Sequence, residues 1–337
     1  MSQWNIFGHE WASEKLQSSI IHGRIGHAYL ITGPAQVGKT TLAIKFAQAL
    51  NCTSDYLNNR PCGTCRSCQL IASGRHPDVR IIEPELNSRG QPSIKIDQMR
   101  ELQRELNLGT YEARHKVAVI TQFDSATIGA ANAFLKTLEE PPADVVLILT
   151  ASESDALLPT INSRCRTMAL RPLSVSQVSY ALETHWHTPT ATAQLLGHLS
   201  NGRLGWAVQA AADETILQTR QEQISLLNEA LNGRRVERFV MADKLSRKPE
   251  VLSDILQTWL GWWRDLTVLS NGQTAAEALI NIDQKEQFDQ LLGRWDSKQI
   301  LHGLNKTNEA LWQLERNVNV RLMMENLFLN YPLVGQS

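Results

Sequence analysis

Apolar positions in the first 170 residues fall into two alternating rhythms. The short runs Ala28-Tyr29-Leu30-Ile31, Val79-Arg80-Ile81-Ile82, Val117-Ala118-Val119-Ile120 and Val145 to Leu149 read as buried strands. Between them, apolar residues recur at helical spacing over Trp11 to Ile21, Thr41 to Leu50, Ile96 to Leu106 and Ala126 to Leu138. This β-α-β-α order predicts a parallel sheet covered by helices. A last short strand, Thr167-Met168-Ala169-Leu170, precedes Pro172, which marks a boundary.

From Ser174 onward the period is helical, with no convincing strand. Gly197, Gly202 and Gly205 punctuate a small region ending near Ala212. Beyond it the sets Ile224, Leu227, Leu231, then Leu252, Ile255, Leu256, Trp259, then Leu311, Leu314, Val318, Leu322 are helix-bundle signals. Trp259, Trp262 and Trp263 read as core, because base stacking needs interleaved basic residues and Arg264 alone is thin support. A final helix is expected over Arg316 to Leu329, apolar on more than one side and so suited to partner helices. The fold class expected is α/β, a phosphate-loop domain over residues 1–170. A small helical domain (171–212) and an all-α domain (213–337) follow.

Charge and composition change this picture little. Lys and Arg total 33 against 34 Asp and Glu, so no global charge draws the chain toward nucleic acid or an anionic membrane. No apolar run reaches the ~18 residues of a membrane span. Met1-Ser2-Gln3-Trp4-Asn5 lacks the basic and apolar regions of a signal peptide. A cytoplasmic location follows as an expectation, and with it cysteines that do not form structural disulfides.

Candidate chemistry changes it more. Gly33-Pro34-Ala35-Gln36-Val37-Gly38-Lys39-Thr40 fits the phosphate-binding pattern and sits between a predicted strand and a predicted helix. Backbone N–H groups there can cradle phosphate oxygens, Lys39 can reach the terminal phosphates and Thr40 can ligate magnesium. Gly33, Gly38, Lys39, Thr40 and Thr41 are therefore the candidate ATP site. Hydrolysis also needs an acid at the end of a second strand to hold the metal, and a group to orient water. That strand, Val117 to Ile120, runs instead into Thr121-Gln122. Asp124 is the nearest acid, and its expected role is a turn or a helix cap before Ala126.

Cys62-Gly63-Thr64-Cys65-Arg66-Ser67-Cys68, with Cys52 before it, offers four thiols in a short segment. Four sulfurs close a tetrahedral zinc site that is structural, with an iron–sulfur cluster the weaker rival. Cys165 lies far from it. Arg164, in Ser163-Arg164-Cys165, reads by spacing alone as a surface charge, with an arginine finger the alternative.

Together these residues resemble the clamp-loader branch of the AAA+ ATPases. The likeness rests on Asn132-Ala133-Phe134-Leu135-Lys136-Thr137-Leu138-Glu139-Glu140-Pro141-Pro142, on Leu158 to Cys165 ("LPTINSRC"), and on a cysteine module between the phosphate-loop helix and the next strand. Within that branch the chain is similar to the delta-prime group of bacterial DNA polymerase III rather than to the gamma/tau motors. Its length, its opening from Ile6 to Pro34 and its missing Asp-Glu pair carry that likeness.

The resemblance implies an AAA+ domain, a helical lid and a C-terminal collar domain. It implies a hetero-oligomer with gamma/tau and delta subunits, acting through that complex on a sliding clamp and primer–template DNA. It places Arg164 in trans in a neighbour's ATP site, and Ser152 at the sensor-1 position. The sensor-2 stretch of motor subunits aligns with Gly202 to Val208, with Gly205 in the arginine's place and Arg203 two residues early. Little or no intrinsic ATPase activity is expected. The alternatives are a self-sufficient ATP-hydrolysing motor subunit or other AAA+ remodeller, and a zinc-dependent nucleic-acid-binding module, against which the near-neutral charge argues.

Overall fold

The computed structural model of the chain describes residues 4–87, 91–272, 279–314, 316 and 318–334. They fall into two compact units, Met1–Leu173 with Arg203–Gly205, and Ser174–Gly202 with Trp206–Ser337.

The first unit is built on β1 (Ala28–Thr32), β2 (Val79–Ile82), β5 (Lys116–Ile120), β6 (Val145–Ala151) and β7 (Arg166–Ala169). They form one five-stranded sheet in the order β2-β5-β6-β1-β7, every pairing parallel. In β1, β5 and β6 every residue is buried, which is why these runs are continuously apolar. Successive side chains still go to opposite faces. Tyr29, Ile31, Val117, Val119, Val146 and Ile148 face a core with Leu16 of α1 (Glu10–Ile21) and Phe46 of α2 (Lys39–Asn51). Leu30, Ala118, Ile120, Leu147 and Leu149 face Met99 and Leu102 of α4 (Ile96–Leu106) and Phe134 of α5 (Ile128–Glu139).

Helix α5 starts two residues later than its apolar period suggests, because Thr127 is the cap and its hydroxyl accepts from the Ala130 N–H at 3.2 Å. Asp124 is therefore not the cap. A two-stranded hairpin, β3 (Glu85–Leu86) with β4 (Pro92–Ser93), was not foreseen.

The second unit is helical among its described residues. Helices α7 (Val175–His185) and α8 (Thr190–Leu199) pack together, and α9 (Leu204–Ala212) follows. Six more make up its main core: α10 (Thr215–Asn232), α11 (Arg235–Ser246), α12 (Pro249–Ser270), α13 (Lys285–Leu292), α14 (Ser297–Leu314) and α15 (Val320–Asn330). Trp259, Trp262 and Trp263 are all fully buried in it, as their spacing suggests, with Trp295 stacked on Trp263 at 5.6 Å. The final helix is shorter than expected: Asn319 caps it, its side chain accepting from the Leu322 N–H. Arg316 is outside it and Asn317 lies outside the described residues.

Two residues fix this bundle. Arg238, 4% exposed, donates to the carbonyls of Leu231, Gly233, Phe328, Tyr331 and Pro332, so one guanidinium satisfies the ends of two helices. Gly303 lets α14 approach α12, since a Cβ there would meet the Trp263 ring at 2.6 Å. Gly303→Val is expected to lower stability by about 1–3 kcal/mol through overpacking. Urea unfolding followed by tryptophan fluorescence measures this, and an unmoved midpoint would mean that the two helices separate at no cost.

Candidate functional site

The phosphate loop leaves β1 at Gly33, whose N–H is shared between the Ala151 and Ser152 carbonyls at 3.2 and 3.0 Å. Gly33 has φ +145°, and a Cβ there would strike the Leu170 carbonyl oxygen, so only glycine fits. Gly38, with φ +106°, turns the loop into α2. Gly205 closes the loop from another side, its N–H donating to the Gln36 carbonyl at 2.9 Å. A Cβ at 205 would lie 2.8 Å from that oxygen, so the backbone as it stands leaves no room for a side chain there.

Lys39, Thr40 and Thr41 open α2. Thr41 is exposed and Thr40 half-buried. The Lys39 ammonium donates to the loop's own carbonyls, Gly33 at 2.5 Å and Pro34 at 2.7 Å. Burial pulls its pKa down, opposed by the Asp124 carboxylate. A phosphate entering the loop would draw Lys39 off these carbonyls.

The acid-bearing strand end is rebuilt. Thr121 is buried, and both its N–H and its hydroxyl donate to the Ile82 carbonyl of the neighbouring strand, at 2.9 and 3.3 Å. Gln122 takes a left-handed backbone (φ +48°), and its N–H donates to the Thr150 hydroxyl at 3.0 Å. Asp124 lies in a 3₁₀ turn, Phe123–Ser125, and its carboxylate accepts from the Ser152 N–H at 2.9 Å and the Ser152 hydroxyl at 2.5 Å. Ser152 is thus committed to Asp124, a contact with no signal in the sequence.

Arg164 follows the short helix α6 (Pro159–Asn162). Its guanidinium donates through one terminal nitrogen to the Thr160 carbonyl at 2.8 Å and the Ser163 hydroxyl at 3.2 Å. Through the other it meets Glu139 at 2.7 Å.

The four cysteine sulfurs of Cys52, Cys62, Cys65 and Cys68 lie within 4.8 Å of one another. Gly63, φ +73°, makes the turn between the first two of the close-spaced thiols. Backbone N–H groups point at three of the sulfurs: Cys62 N–H at Cys52, Cys65 N–H at Cys62 and Cys68 N–H at Cys65, at 3.3 to 3.4 Å. Burial works against ionising Cys62, but hydrogen bonds from Cys65 and Thr64 outweigh it and bring the thiol down to about 6. Cys65 is also lowered, by N–H donors that overcome burial. Burial pushes Cys52 and Cys68 up, so a cation is needed to hold all four as thiolates. This donor set fits a closed tetrahedral ion. Cys165 is not part of it, and burial drives its thiol up to about 12. The segment is tied to the rest of its unit by Gln48, which donates to the Cys68 carbonyl at 2.7 Å, and by Trp4, which donates to the Arg60 carbonyl at 3.0 Å.

Comparison with known proteins agrees with this architecture. A family model described as "DNA polymerase III, delta subunit" matches residues 8–174, and one described as "DNA polymerase III, delta subunit, C terminal" matches residues 214–331. DNA polymerase III subunit delta' of Bacillus subtilis is 30% identical over 321 residues, 93% of each chain. Subunit delta' of Pseudomonas aeruginosa is 41% identical over 139 residues, 41% of each chain. Subunit tau of Salmonella typhimurium is 36% identical over 206 residues, 59% of this chain but 31% of tau. Among solved structures, a DNA polymerase III gamma subunit-related protein of Thermotoga maritima superposes with a TM-score of 0.50 at 19% identity, over 94% of this chain and 97% of that one, which supports the fold alone. Tau matches only in part, whereas a delta' sequence aligns over 93% of both chains, so the chain belongs to the DNA polymerase III delta-prime subunit family.

Proposed function

We propose that the chain is a non-hydrolysing arm of a bacterial clamp loader that supplies Arg164 in trans to a neighbouring ATPase subunit. The observation that carries this reading is Thr121: where a motor subunit would present a metal-holding acid, this hydroxyl is spent on the Ile82 carbonyl. In this reading Gly33, Gly38, Lys39, Thr40 and Thr41 hold ATP and magnesium without turning the nucleotide over. Arg164 enters the adjacent site and offsets the charge that develops on the transferring phosphoryl group.

The same reading assigns Zn²⁺ to Cys52, Cys62, Cys65 and Cys68 as a structural ion, because four sulfurs leave no open coordination position. Residues 171–212 act as the lid and 213–337 as the collar, joining gamma/tau and delta subunits in a hetero-oligomer. The exposed apolar side chains of Val236 and Val240 on α11 and Leu322 on α15 support a collar role. The sliding clamp and primer–template DNA are reached through that assembly, in the cytoplasm. No described helix is long and apolar enough to cross a membrane.

The purified chain alone, given magnesium and ATP, is expected to show no turnover above background. Clear hydrolysis that Lys39→Ala abolishes would overturn the proposal in favour of a self-sufficient motor.

A further inference from the structure

Glu139 ends α5 and sits 49% exposed, an odd place for an acid. The last turn of a helix carries partial negative charge, so a carboxylate there opposes the dipole. Glu139 caps nothing: the α5 cap N–H, that of Glu140, goes to the Lys136 carbonyl. Its one ion pair among the described residues is with Arg164, at 2.7 Å across a 25-residue gap in sequence.

Among the described residues, the other polar partners of Arg164 are few. Its other fixed nitrogen is bound within its own turn, to Thr160 and Ser163. Both bonds come from one terminal nitrogen and lie within one turn. A second anchor from a different element fixes the guanidinium plane, and Glu139 is that anchor. A planar donor fork is useful to a phosphate only when it is aimed, and a misplacement of about 1 Å can cost about 10²-fold in rate.

We infer that Glu139 is a positioning residue for Arg164, presenting its guanidinium to the neighbouring subunit's nucleotide. The inference rests on the reading of Arg164 as a trans-acting finger. Because the acceptor oxygen does the aiming, an amide serves nearly as well as a carboxylate.

The test uses the complex reconstituted with gamma/tau and delta subunits, with ATP hydrolysis measured in the presence of primed DNA and clamp. Glu139→Ala is expected to lower kcat about tenfold with KM for ATP unchanged, since the motor's own site binds the nucleotide. Glu139→Gln is expected to restore most of the rate. Glu139→Ala in an Arg164→Ala background should add nothing. Thermal stability of the isolated chain should hold in both Glu139 variants, because the acid opposes the helix dipole. Loss of rate in Arg164→Ala with none in Glu139→Ala would overturn the inference and leave the finger standing. A raised rate in Glu139→Ala would also overturn it, since Glu139 would then be restraining Arg164. No effect of Arg164→Ala itself would remove the finger, and Glu139 with it.

Discussion

Arg164→Ala is expected to leave the hetero-oligomer intact and to cripple hydrolysis at the one nucleotide site that Arg164 serves. Assembly should survive because, among the described residues, the hydrogen bonds and ion pair of the guanidinium all go to Thr160, Ser163 and Glu139 of its own unit. At the served site, loss of an arginine finger costs about 10³-fold or more, or about 4 kcal/mol of transition-state stabilisation. Steady-state turnover of the whole complex falls less if other sites fire independently, and to a similar extent if they fire in sequence. Size-exclusion chromatography and DNA-stimulated ATPase assays on the same preparation separate the two effects. Arg164→Lys should rescue poorly, because a compact ammonium cannot offer the planar fork of a guanidinium. Unchanged turnover in Arg164→Ala would remove this residue from the mechanism.

The second large effect is expected from the cysteine cluster. Elemental analysis of chain purified under reducing conditions without chelator should find about one zinc per molecule. Stripping the ion, or Cys65→Ser, removes a contribution that reaches about 10 kcal/mol in small zinc modules. Two consequences follow from the geometry. Cys65 also caps α3 (Arg66–Ala72), its sulfur accepting from the Cys68 N–H, so that short helix should fray with it. Arg60 holds the Ser54 carbonyl at 2.6 and 2.8 Å and offers its own carbonyl to Trp4, so the loosened loop should pull on the N-terminal segment. Limited proteolysis should then cut between residues 53 and 67, where the zinc-loaded chain resists. Absence of zinc in the purified protein, or equal resistance with and without chelator, would count against the metal site.

Much of this was legible in the chain because its signals are local. The three central strands β1, β5 and β6 announced themselves through long apolar runs, β2 and β7 through shorter ones broken by polar residues, and Ile96 to Leu106 is a helix from end to end as its period suggests. The cysteine spacing placed four sulfurs together, since two-residue gaps leave a turn few other options. What was not legible involves partners distant in sequence or too short to have a period. The hairpin of Glu85–Leu86 with Pro92–Ser93 has two-residue strands, too brief for alternation to register. Asp124 lies in a turn, one of the two roles its position suggests, but Thr127 takes the cap and the Asp124 carboxylate reaches Ser152, 28 residues away. The pairing of Glu139 with Arg164 is of the same kind: each residue belongs to a motif, and neither motif names the other.

Thr121 has a consequence for the history open to this subunit. In the rotamer that Thr121 uses, Thr121→Asp would set a carboxylate against the Ile82 carbonyl, two acceptors face to face with no proton between them. On the proposed reading, Gln122, on its left-handed backbone, and Gly205, pressed on Gln36, would each have to change as well before this site could hydrolyse ATP. On that reading, the hydrogen bond of Thr121, the backbone of Gln122 and the contact of Gly205 together keep this site dependent on a neighbour for hydrolysis.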